Sequence, residues 1–83
     1  MNTIKDLEEM KNESYGFFGT KYNYFFEALK DCYIAKIDGI YRIQAELKNW
    51  DTESRKFIVV ELANRISKSG MMDFNSKEIL DLA

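Results

Sequence analysis

Apolar positions along this chain follow two different periods, and the stretch where the period becomes ambiguous decides the expected fold. Ile4, Leu7 and Met10 stand three apart, which is the spacing of a narrow stripe on one side of a helix. Thr3 before them suits an N-cap, and Asp6 and Glu8 put negative charge at the end of the helix dipole that favours it. The spacing predicts a short helix over 3–14, stopped by Gly16 and Gly19. From Thr20 the helical period restarts, with Tyr22, Phe25, Phe26 and Leu29 at i, i+3, i+4 and i+7.

After Asp31 the pattern reads two ways. As a helix, Phe26, Leu29, Tyr33, Ile40, Ile43, Leu47 and Trp50 line one seam and only Lys36 breaks it. As a hairpin, Asp38-Gly39 separates Tyr33-Ile-Ala-Lys-Ile37 from Ile40–Leu47, where Tyr41, Ile43, Ala45 and Leu47 alternate with Arg42, Gln44 and Glu46. An Asp-Gly pair between alternating apolar residues is the strongest short-range hairpin signal. In the hairpin Gly39 takes a positive φ. Glycine inside a helix costs about 1 kcal/mol relative to alanine, and the Ile and Tyr residues favour strand. The preferred expectation is an α+β fold, a small single domain in which helices cover a β-hairpin at about residues 33–47. The alternative is an all-α bundle of three to four helices with one long central helix.

Both readings agree further on. Asp51 suits an N-cap, and Ile58, Val59, Leu62, Ala63 and Ile66 make a broad apolar face up to Gly70 at the C-terminal end. A last short helix opens at Asn75, with Glu78 as capping-box partner and Phe74 and Ile79 placed for a hydrophobic staple.

Composition changes this picture at one place. Seven of the twelve residues from Tyr15 to Phe26 are aromatic, and each such ring removes roughly 150–250 Å² from water when buried. A chain of 83 residues buries only about 60–65% of the surface its unfolded form exposes. Some rings are therefore expected to stay at the surface, where a partner protein or a second copy in a homodimer would cover them. Charge adds little: the net value is -2, with each end at -2 and the middle at +2, as solvated helix faces give.

The candidate chemistry is mostly excluded. Histidine is absent, which removes the commonest general base, the activated Ser or Cys nucleophile pairs and the usual metal ligand. Cys32 is alone, so neither an intrachain disulfide nor a cysteine-based zinc site can form. Glu8-Glu9 and Asp51-Thr-Glu53 are the closest carboxylate pairs and read as helix surface and capping cluster. Phe17-Phe18 between Gly16 and Gly19 would block the close backbone approach a phosphate loop requires. No catalytic residue, metal site or cofactor is expected. The N-terminus lacks an apolar leader, and Phe57-Ile-Val-Val60 is far too short to cross a bilayer, so the expected location is cytoplasmic.

A single small domain without a catalytic kit is expected to act by contact. The reading is a stoichiometric inhibitor or adaptor that docks on a protein partner through Tyr15, Phe17, Phe18, Lys21, Tyr22 and Tyr24, with Met71, Met72 and Phe74 of an apolar tail. The tail could equally fold back as core cover. Richness in Lys, Asn and Ile fits an AT-rich genome, and a phage protein directed at a host complex is the specific expectation. The rival is a single-stranded nucleic-acid binder stacking bases on the same rings, disfavoured by Glu27 and Asp31 beside the few nearby lysines.

Overall fold

The computed structural model describes residues 3–12, 21–35 and 38–83. Among these residues five helices follow one another: α1 (Ile4–Asn12), α2 (Lys21–Ile34), α3 (Gly39–Leu47), α4 (Thr52–Lys68) and α5 (Ser76–Leu80). No strand is found among the described residues, so the α+β expectation with its hairpin at 33–47 is corrected to a helical fold. The long central helix of the alternative is corrected too, because α2 and α3 pack side by side.

The reason lies in which half of the alternating set reaches the core. Ile43 and Leu47 are buried, at 0% and 3% exposure, whereas Tyr41 is 75% exposed and Ala45 lies at the surface. A strand would have put all four on one face. A helix splits them, because residues four apart nearly complete a turn while residues two apart point away from each other. It also satisfies its backbone internally, which a lone two-stranded hairpin cannot do as well.

The Asp-Gly turn exists, but its two residues exchange roles. Asp38 takes the left-handed conformation, at φ 52° and ψ 31°, which an aspartate tolerates better than most residues. Gly39 is buried in the first turn of α3, and a Cβ there would lie 2.6 Å from the Tyr33 Cα and 2.8 Å from the Cys32 carbonyl oxygen. Gly39 thus lets α3 begin directly against the backbone of α2.

Several ends are capped as the side chains dictate. The Thr3 amide donates to the Asp6 carboxylate at 2.7 Å, holding the start of α1. The Asp51 carboxylate accepts from the Ser54 amide at 2.9 Å, and its contact with Ser54 holds the Asp51 carboxyl below its usual range. Gly70, at φ 80°, follows the last turn of α4 and takes the conformation that glycine adopts without strain. The Asn75 side chain accepts from the Lys77 amide. Glu78 does not reach back to complete a capping box; it accepts from the Tyr33 hydroxyl at 3.1 Å instead. The turn from α3 to α4 is tied by Arg55, whose Nε donates to the carbonyls of Leu47 and Trp50, both at 2.9 Å.

All five helices feed one apolar core. Leu7, Phe26, Ile43, Ile58, Leu62, Ile66 and Ile79 are each at most 2% exposed. The pair α2 and α4 forms its centre, with α1 lying across both, α3 on α2 and α5 on α4. The seam residues of the helical reading reach this core, from Phe26 to Trp50, although the chain folds back on itself midway.

Candidate docking surface

Among the described residues the polar side chain with the most hydrogen bonds shown is that of Arg65 of α4, a residue the sequence pattern did not single out. Its guanidinium donates to Glu27 Oε2, Glu61 Oε1 and Asn23 Oδ1, each at 2.9 Å. It also lies 5.2 Å from the Phe26 ring centre and 5.9 Å from that of Tyr22. Its position at i+4 from Glu61 was visible in the sequence; the reach to α2 was not. Lys30 pairs with Glu27 from the other side. First Lys30 and then Arg65 lower the Glu27 pKa, against the opposing effect of partial burial.

This arrangement is a clamp between α2 and α4. Arg65→Ala is expected to destabilise the fold by about 2 kcal/mol, since partly buried charge-assisted hydrogen bonds are lost and Glu27 keeps only Lys30. Because the folded pKa of Glu27 lies below its unfolded value, the stabilisation is complete above the ordinary glutamate range. It is lost as pH falls through the lowered value. Thermal melts over an acid series will show that loss in the wild type, and a flatter profile in Glu27→Gln.

The residues expected to bind fall into three groups. Tyr15, Phe17 and Phe18 lie outside the described residues. Tyr22 is 8% exposed and packs edge-on to Phe26 at 4.9 Å; burial, with the charge of Glu61, pushes its hydroxyl pKa up. Phe74 is half-buried and stands edge-on to Tyr33 at 5.9 Å. Lys21 is exposed at the start of α2, Tyr24 is 70% exposed and Met72 is 97% exposed. Met71 is half-buried against the core. The tail therefore divides residue by residue: Met71, Phe74, Ile79 and Leu82 cover the core, while Met72 and Leu80 face solvent.

Four exposed apolar residues among those described were not anticipated: Ile34, Tyr41, Phe57 and Val60. Tyr41 had been assigned to the covered face of a strand, and only the helical period turns it outward.

Two grooves adjoin Tyr41. One, of about 500 Å³, runs between the end of α2, the start of α3 and the 71–78 segment. Its walls include Tyr33, Ile40, Tyr41 and Met71, with Asp38, Asp73 and Glu78. The other, of about 780 Å³, lies between α2 and α3 and includes Ala28, Cys32, Tyr41, Arg42 and Ala45.

Among the described residues no group of three or more Cys, Asp or Glu is placed to hold a metal ion. Of the two sequence-adjacent carboxylate pairs, Glu8 and Glu9 lie exposed on α1, and Asp51 is engaged as the α4 cap. No described helix is long and apolar enough to cross a membrane. No protein-family model, curated protein or solved structure matches this chain.

Proposed function

We propose that this protein is a non-enzymatic binding factor, of the stoichiometric inhibitor or adaptor kind, which docks on a partner protein through the groove beside Tyr41 and Met71. One observation carries the reading: the two most exposed large apolar side chains among the described residues, Met72 at 97% and Tyr41 at 75%, belong to the two segments that line that groove. Tyrosine is enriched among residues that dominate binding energy, and methionine adapts to varied partner surfaces. A phage protein acting in the cytoplasm on a host complex would be one instance of this class.

The test is retention of a partner from lysate by the wild type and by Tyr41→Ala/Met72→Ala. Both positions are exposed, so folding stability is expected to change by no more than about 0.5 kcal/mol, which circular dichroism checks. The double variant is expected to lose at least tenfold in retention, about 1.4 kcal/mol. Equal retention by the folded variant removes the groove from the reading. Phe17→Ala/Phe18→Ala belongs in the same experiment as the test of the aromatic run before α2.

Single-stranded nucleic acid is the second reading, favoured by the exposed rings of Tyr24 and Tyr41 and by the exposed cations Lys21 and Arg42 next to them on α2 and α3. It predicts binding to a labelled oligothymidylate that weakens steeply with salt. Fluorescence anisotropy at two salt concentrations separates it from protein docking.

A further inference from the structure

The walls of the Tyr41–Met71 groove are chemically one-sided. Asp38, Asp73 and Glu78 line it, and among the described residues no lysine or arginine does. Elsewhere several carboxylates are engaged: Glu27 and Glu61 hold Arg65, Asp51 caps α4, Asp6 holds Thr3 and Glu46 accepts from Trp50, while others such as Glu8 and Glu9 stand exposed on a helix surface. Asp38 stands at the N-cap position of α3 yet its side chain makes no capping bond. Glu78 is fixed in place by the Tyr33 hydroxyl.

We infer that the occupant of this apolar groove is an arginine- or lysine-bearing segment of a partner protein; this rests on the docking reading above and adds the chemistry of the partner. Charge complementarity selects it, because an unbalanced negative rim attracts a basic segment and repels a phosphate backbone. The apolar part of the lining suits the same guest. Ile40 and Met71 offer surface for an aliphatic stem, and the exposed Tyr41 ring offers a face for a guanidinium. The three carboxylates do not converge as a metal-binding group, so their arrangement suits a segment lying along the groove better than a single bound ion.

The probe is acetyl-Gly-Arg-Gly-Arg-Gly-Arg-amide, titrated into the ¹⁵N-labelled protein at low salt beside its citrulline counterpart, which keeps the shape and removes the charge. Amide shifts are expected to concentrate at 38–41 and 71–78, with binding at least tenfold tighter than the citrulline peptide's. Asp38→Asn/Asp73→Asn is expected to abolish that difference; asparagine tolerates the left-handed conformation at 38, so this variant keeps the fold. Equal binding of the citrulline peptide, undiminished binding by the double variant, or shifts elsewhere would each overturn the inference. So would an oligothymidylate that perturbs the same amides. The docking reading is judged separately: a partner lost by Tyr41→Ala/Met72→Ala but kept by Asp38→Asn/Asp73→Asn leaves docking standing and sinks the basic guest alone.

Discussion

Replacing Phe26 by alanine is expected to cost about 3–5 kcal/mol of stability, the range for emptying a large buried aromatic site. Phe26 is 0% exposed. Its ring meets Tyr22 edge-on at 4.9 Å and Phe25 at 5.0 Å, with the Arg65 guanidinium 5.2 Å from its centre. Removing the ring leaves a void where α2 meets α4 and takes one contact from the Arg65 clamp. A domain of 83 residues has roughly 4–12 kcal/mol in total at the usual per-residue stability. The variant is therefore expected to be extensively unfolded on warming, and urea denaturation followed by circular dichroism measures the loss. Tyr24→Ala is the contrast, two residues away but 70% exposed, and should stay within about 0.5 kcal/mol of the wild type. A loss below about 1 kcal/mol for Phe26→Ala would mean that this ring does not sit at the centre of the core.

The second large effect is expected at Gly39, where two principles make opposite predictions. Helix propensity alone says that Gly39→Ala should stabilise by about 1 kcal/mol. The close approach of α3 to α2 says the reverse. The new methyl group would lie 2.6 Å from one backbone atom of α2 and 2.8 Å from another, and no flexible side chain can yield to relieve it. The helices must separate, and overpacking of this kind costs about 1–3 kcal/mol, occasionally more. The expected net result is destabilisation by about 2 kcal/mol. The sign of the change in urea midpoint decides between the two, and a stabilised variant would show that α2 and α3 do not meet as closely as described.

Gly39 also shows why the sequence misled at this point. The Asp-Gly pair is a true turn signal, but a turn between two helices can use the same two letters as one between strands. Ile43 and Leu47 are four apart, a distance that satisfies both a period of two and a period near four, so they could not discriminate. Tyr41 and Ala45 could have done so only if their exposure had been known. The α4 helix was legible because its apolar positions Ile58, Val59, Leu62, Ala63 and Ile66 fit the helical period alone, and because Asp51 and Gly70 bracket it.

The proposed docking surface was legible only in part. Met71 and Met72 stood out as adaptable apolar residues in an acidic tail; the structure places Met71 in the groove wall and leaves Met72, next to it in the chain, 97% exposed. Tyr22 and Phe74 looked the same in the sequence and lie against the core, because aromatic content gives a quantity of apolar surface without saying which side of a helix carries it. Arg65 was legible as a charge and illegible as a clamp, since its partners on α2 are 38 and 42 residues away.

Trp50 is the single tryptophan of the chain. It is 3% exposed, with its indole N–H on Glu46 and its ring 5.6 Å from Phe25, and it is absent from the lining of the Tyr41–Met71 groove. Its emission therefore gives the folding equilibrium an optical readout of its own, shifted to the red on unfolding. Variants of the groove can be checked for integrity in the same cuvette in which a labelled guest is titrated.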